Sequence, residues 1–307
     1  MTRPHLLLFT LLVCSLVTPG CGKKVERAKV IGVTLLTRHH VFYKDLEEGL
    51  RTEATKDNYE LIVASGEFDL GKQLTQIEDF VVRKVDAIVI CPVDPKGVGN
   101  GIRRANNANI PVFTADIAAI EGDVVTHIES DNEEGGKRAG EYFAKILRGK
   151  GKIAIIDQRT VASVLDRTTG FRKALENFPE ILIVADVNGD GVRGRSLQAA
   201  SDVLQAHPDL NGIFGINDDS ALGALDAVQQ FKRKNISIVG YDATPPAVAA
   251  ILRNTSLKAD VVQYPKKIGA TTISAIKDFF GGYSVKKRYA IEVGFVDREA
   301  LQKSPEH

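Results

Sequence analysis

Ile213-Phe214-Gly215-Ile216 runs straight into Asn217-Asp218-Asp219, Ile236-Ser237-Ile238-Val239-Gly240-Tyr241 into Asp242, and Pro111-Val112-Phe113-Thr114-Ala115 into Asp116. Each is an apolar run of strand length that stops on a carboxylate or an amide. Continuous apolar strands of this kind belong to parallel sheets covered on both faces, and in such sheets ligands sit beyond the carboxyl ends of the strands. Carboxylates and amides gathered at that edge suit a small neutral polyol, because they accept from and donate to neighbouring hydroxyls in fixed pairs.

Outward from these runs, strand and helix patterns alternate. Val30–Leu36 reads as a strand and Tyr43–Lys56 as a helix. Leu61–Ala64, Ala87–Cys91 and Val112–Ala115 follow as strands, separated by helices over Lys72–Lys84 and Pro95–Asn107. A second set has helices over Glu133–Leu147, Arg167–Asn177, Ser196–Ala206 and Ala221–Phe231. Its strands are Lys152–Asp157, Leu182–Val187, Gly212–Ile216 and Ile236–Tyr241. Two α/β units with parallel sheets are expected. A helix over Pro265–Phe280 and one strand over Arg288–Val296 remain to tie them together.

The 307 residues are 44% apolar and 26% charged, with net charge +1. This excludes disordered, collagen-like and polytopic membrane classes, and one or two domains are expected. Balanced charge removes the electrostatic case for nucleic acid, and Lys286-Lys287-Arg288 is the densest basic run. At the front, Arg3 and the Leu-rich stretch Leu6–Val17 read as a secretion signal. Thr18-Pro19-Gly20-Cys21 is a partial match to a bacterial lipobox, which makes Cys21 a candidate lipid-bearing residue; a plain signal peptide cut nearby is the other reading. Cys91 has no partner pattern for a disulfide and reads as a buried apolar residue.

Several stretches resemble the periplasmic sugar-binding proteins of ATP-driven importers, nearest to the ribose-binding proteins. They are Ala105-Asn106-Asn107-Ala108-Asn109-Ile110-Pro111-Val112, Val125-Thr126-His127-Ile128-Glu129-Ser130-Asp131-Asn132, Gln205-Ala206-His207-Pro208-Asp209, Asn217-Asp218-Asp219-Ser220-Ala221-Leu222-Gly223-Ala224-Leu225 and Val239-Gly240-Tyr241-Asp242-Ala243-Thr244-Pro245. The resemblance implies two Rossmann-like lobes joined by a three-segment hinge, crossing near Ser130-Asp131, Gln263-Tyr264 and Glu292-Val293. The front of the chain reads as a signal segment over 1–21 followed by a tether over 22–28. One lobe would be formed by 29–130 plus 264–291, the other by 131–263 plus 292–307. By position, Asp116, Arg167, Asn217, Asp242 and Gln263 would hydrogen-bond a sugar, and Phe42 and Tyr43 would stack on it. His40 stands where those proteins have Asn and would face the ligand. Ile117 replaces an Arg, and Gly191 replaces a second-lobe Phe. The implied partners are a monosaccharide or related polyol and the permease of an ABC importer, reached by an exported, lipid-anchored monomer without cofactor or metal.

Other readings of single residues stay open on the sequence. Asp242 could instead cap the helix beginning near Pro245, Arg167 could lie on a helix surface, and Tyr43 could be core packing. Asp218 and Asp219 read as caps of the helix after them, leaving Asn217 to face ligand. The adjacent His39-His40 lack further ligands at metal spacing. Gly189-Asp190-Gly191-Val192-Arg193-Gly194 is a literal GxGxxG between a strand and a helix, and would make the chain a nicotinamide-dependent oxidoreductase. A sugar-sensing partner of a sensor kinase is a further class that the same cleft would serve.

Overall fold

The computed structural model describes residues 27–159 and 161–303. The first sheet collects β1 (Val30–Leu35), β2 (Glu60–Ser65), β3 (Ala87–Ile90), β4 (Val112–Ala115) and β5 (His127–Ser130), linked by helices α1 (Val41–Lys56), α2 (Leu70–Val82) and α3 (Gly99–Asn107). The second collects β6 (Lys150–Asp157), β7 (Glu180–Asn188), β8 (Gly212–Gly215), β9 (Ser237–Asp242) and β10 (Leu257–Val262). Helices α4 (Asn132–Ile146), α5 (Ala162–Leu175), α6 (Arg193–Ala206), α7 (Asp218–Gln230) and α8 (Pro245–Leu252) precede or connect these strands. The chain then returns through α9 (Pro265–Phe280) to β11 (Arg288–Ile291), and ends in β12 (Gly294–Asp297) and α10 (Arg298–Lys303).

The strand orders are β11-β5-β4-β3-β1-β2 and β12-β10-β9-β8-β6-β7. All pairings are parallel except β12 with β10. In each sheet the order reverses at its first strand, β1 or β6, which creates the crevice where parallel sheets take ligands. The two sheets are the two α/β lobes expected, and the chain passes between them after Ser130, after Val262 and at Glu292-Val293. β3, β4 and β8 are buried along their whole length, as their unbroken apolar character demands.

Four departures from the sequence reading have physical causes. The single strand expected over Arg288–Val296 is two strands in different sheets, because the chain changes lobes at Glu292-Val293. The helix expected from Pro95 starts at Gly99, since the Asp94 carboxylate accepts from Lys96 N and Gly97 N and holds that stretch as a turn. The helix expected around Arg167 begins at Ala162, which puts Arg167 in its second turn. β5 carries His127 and Glu129 inside a buried strand, a polar content that hides it from an apolar-run criterion. There Glu129 accepts from Arg288 of β11, and His127 lies 3.3 Å away.

The helix pair α4–α5 is packed so closely that backbone meets backbone. A Cβ on Gly136 would lie 1.8 Å from the Arg167 carbonyl oxygen, and one on Gly170 would lie 1.9 Å from that of Glu133. Only glycine at both positions lets α5 present Arg167 at this depth. Gly136→Ala should therefore cost about 3 kcal/mol of stability and displace Arg167. Urea unfolding of this variant at the wild-type midpoint would refute that packing.

Candidate functional site

A cavity of about 250 Å³ lies between the carboxyl edges of the two sheets. That volume falls just under the range of drug-sized pockets and suits a small ligand. From the first lobe it is lined by the β1–α1 segment, including His40, Phe42 and Tyr43, and by Asp116 and Ile117 beyond β4. From the second come Gln158 beyond β6, Arg167 of α5, Gly191 beyond β7, Asn217 beyond β8, Asp242 at the end of β9 and Gln263 beyond β10. Every site residue expected from the sequence that lies within the described chain borders this one space. Cys21 lies outside the described residues.

The first-lobe wall is built on the N-terminus of α1. His40 is its cap: Nδ1 accepts from Phe42 N at 3.2 Å, which leaves the proton on Nε2. Nε2 stands 3.6 Å from Asp242 Oδ2 on the opposite lobe. Phe42 and Tyr43 meet edge to face with centroids 5.2 Å apart, so they share a wall instead of enclosing a slot between them. Tyr43 joins the core cluster around Leu46 and also borders the cavity. Its hydroxyl donates to Asp116 Oδ2 at 2.6 Å.

Asp116 is buried in a left-handed backbone conformation (φ 68°) that turns its carboxylate back across the strand end. Burial, with the charge of Asp242 adding to it, pushes its pKa up to about 6; the Tyr43 hydrogen bond and the Arg167 charge hold it from rising further.

Arg167 is a cleft residue. Nε donates to Asn132 Oδ1 at 2.9 Å and Nη1 to the Ile216 carbonyl at 2.8 Å, and the guanidinium lies 4.0 Å from the Tyr241 ring centre. These contacts leave Nη2 available to the cavity. Asp242 does not cap α8, whose cap residue is Thr244 without a side-chain bond. Its Oδ1 accepts from Gln263 Nε2 at 2.5 Å, and Gln263 Oε1 in turn accepts from Ser130 Oγ at 2.5 Å. A relay Ser130–Gln263–Asp242–His40 thus runs through two of the crossings and back to the first lobe.

Asn217, and neither Asp218 nor Asp219, caps α7: its Oδ1 accepts from Ser220 N at 2.8 Å. Its Nδ2 donates to the Gly191 carbonyl at 3.0 Å, so the cap and the cavity wall are one group. Asp218 instead turns away into the protein and binds Thr244. Gly191 (φ +64°) cannot carry a side chain there without strain, and its Cβ would fall 2.7 Å from Gln158 Oε1. The amide of Gln158 faces the place where the resemblance would put an aromatic ring. Gln158 escaped the sequence reading, although Ile153–Asp157 ends at the sheet edge by the same rule that found Asp116. The Gly-rich turn 189–194 also borders this cavity through Asp190, Gly191 and Val192. His39 pairs with Glu67 at 3.3 Å and diverges from His40. Among the described residues, no cluster of three His, Cys, Asp or Glu is placed to hold a metal. Cys91 is free and buried, as read.

Two parallel-sheet lobes with facing polar carboxyl edges define a bilobed solute receptor, and comparison with known proteins agrees. A periplasmic binding protein domain matches residues 31–283, and the chain belongs to that family. It is 34% identical over 272 residues to the ribose import binding protein of Escherichia coli K12, covering 88% of this chain and 90% of the relative. A solute-binding protein of an ABC transporter from Mycobacterium smegmatis, solved with glycerol bound, is 32% identical, with a TM-score of 0.85 over 90% of this chain and 96% of that one. One from Actinobacillus succinogenes, solved with D-allose, is 25% identical, with a TM-score of 0.82 over 90% and 99%. The family places the chain outside the cytoplasm, and the relatives named here serve import or ABC transport.

Ionised Asp116 is a charge-assisted acceptor at both oxygens, whereas its protonated form turns one of them into a donor and accepts more weakly, so solute affinity should rise between about pH 5 and about pH 7.5. Tyr43→Phe removes a donor that favours the ionised form, so the midpoint of that rise should move upward and binding at neutral pH should weaken about tenfold. Titration calorimetry across pH on both proteins checks this; an unmoved midpoint would detach Tyr43 from Asp116.

Proposed function

We propose that this chain captures a monosaccharide or related polyol between its lobes, unchanged chemically, and delivers it to an ABC importer. The observation that carries the reading is the convergence of two carboxylates, Asp116 and Asp242, with one guanidinium, Arg167, on a single cavity, each from a different strand end or helix. Carboxylates accept pairs of hydroxyls, Arg167 Nη2 donates, and Phe42 offers an apolar face to ring C–H groups. Asn217, Gln263 and His40 complete the rim. The charges are held by neutral or opposite partners within the protein, so the cavity is suited to an uncharged solute.

On this reading the solute differs from one sandwiched between rings. The second-lobe wall offers the Gln158 amide and the Gly191 backbone, while Ile117 leaves an apolar stretch beside Asp116. A polyol with hydroxyls directed toward both walls fits this asymmetry. The chain carries no reaction in this account: it acts as a monomer, tethered to a membrane through a lipid on Cys21.

A thermal-shift panel of pentoses, hexoses, inositols and acyclic polyols, with nicotinamide dinucleotides included, tests the reading. A true solute at a hundred times its dissociation constant adds about 2.7 kcal/mol to stability. Asp242→Ala should abolish that shift while the unliganded chain still unfolds cooperatively; a shift from the dinucleotides alone would replace transport by redox chemistry. In cells, Cys21→Ser should release the protein from the membrane fraction, and continued sedimentation with membranes would remove the lipid anchor.

A further inference from the structure

Beneath Asp242 lies a second carboxylate cluster that the cleft does not use. Asp218, at the first position of α7, and Asp260, in β10, are 1% and 0% exposed. Each has one satisfied oxygen. Asp218 Oδ2 accepts from Thr244 N at 2.6 Å and from Thr244 Oγ1 at 2.5 Å; Asp260 Oδ1 accepts from Ala243 N at 3.1 Å. The other two oxygens, Asp218 Oδ1 and Asp260 Oδ2, have no hydrogen-bond partner. Both border one point: a Cβ on Gly240 would lie 3.0 Å from the first and 2.6 Å from the second. Two bare anionic oxygens side by side in a dry interior are untenable, and a single proton between them satisfies both.

The segment these carboxyls grip is the one that places Asp242. Asp242 (φ +121°) and Ala243 (φ +57°) are consecutive non-glycine residues with positive φ, each costing about 1–3 kcal/mol unless the surroundings fix it. The three hydrogen bonds from Ala243 and Thr244 to the pair supply that fixation. We propose that Asp218 and Asp260 share one proton and act as a single positioning device for Asp242, holding the strained turn that aims its carboxylate into the cleft.

The electrical surroundings make the shared proton the sole charge relief. Asp242 on β9 bears on both carboxyls as a like charge, and Asp219 follows Asp218 on α7. Helix α8 (PPAVAAIL) contributes no charged side chain, and β12 lays Val296 beside Asp260. The His40 imidazole faces Asp242 and not the pair. Neither carboxyl has an ion-pair partner among the described residues. In accord with this, burial raises the pKa of Asp218 to about 7 and that of Asp260 well above the carboxylate range. Carboxyl groups whose folded values exceed their unfolded ones withdraw stability as pH rises from the unfolded value near about 4 to the folded one, here about 7 for Asp218 and higher for Asp260.

Asn variants separate a shared proton from simple packing. In Asp260→Asn the amide oxygen still accepts from Ala243 and the N–H replaces the proton toward Asp218; Asp218→Asn is the mirror case. Either single variant should unfold near the wild-type temperature at neutral pH and lose most of the decline in stability expected of the wild type as pH rises from about 4 through about 7. The double variant sets two NH₂ groups against each other and should be less stable than the two single effects summed. For positioning, the amide protons of Ala243 and Thr244 should lose about tenfold or more of their exchange protection in Asp260→Ala and keep it in Asp260→Asn. A decline with rising pH unchanged in both single variants, or an additive double variant, would overturn the shared proton. Unaltered protection in Asp260→Ala would overturn the positioning role. None of these readouts needs a bound solute, so they decide the matter even where the sugar panel finds no ligand.

Discussion

The structure depends on taking one guanidinium out of water. Arg167 reaches the cleft only because α5 lies directly on α4, glycine against backbone, and once there it must be held from every side. Asn132 at the start of α4, the Ile216 carbonyl at the end of β8 and the face of Tyr241 in β9 do this together. A buried cation is tolerable when its donors are spent and its charge is answered. Its charge is answered by Asp116, from the other lobe, which would otherwise be still harder to ionise. The same guanidinium therefore knits the second lobe internally and favours the ionised form of Asp116 in the first.

Around that cation the site is economical in parts. Asn217 is at once the cap of α7 and a tie to the Gly191 turn; His40 is at once the cap of α1 and the neighbour of Asp242; Gln263 is at once a crossing residue and a donor to Asp242. Caps belong at strand–helix junctions, and in parallel sheets those junctions are the ligand edge, so the two duties coincide for geometric reasons.

This coincidence explains what could be read in the sequence. The apolar runs ending on Asp116, Asn217 and Asp242 announced both the sheets and their edge, because burial on both faces leaves no ambiguity of period. Which acid capped and which faced the cavity was not legible: Asn217, Asp218 and Asp219 are all competent caps, and only the depth of Thr244 behind β9 draws Asp218 inward. β5 was hidden by its buried His127 and Glu129, whose partners Thr114 and Arg288 come from distant parts of the chain. Gln158 was hidden for a simpler reason, since an amide after a strand that ends in Asp157 carries no pattern of its own. The relation between Asp218 and Asp260, far apart in sequence, exists only once β9 has been placed between their elements.

The passage from β11 to β12 takes two residues, Glu292 and Val293, and joins a parallel edge strand of one sheet to an antiparallel edge strand of the other. Two residues reach at most about 7 Å when fully stretched, so the lobes have almost no freedom to separate along that line. What remains is torsion about it. A molecule tethered this way can register an arriving solute only as an angle, and whatever reads it from outside must be a gauge of orientation, not of distance.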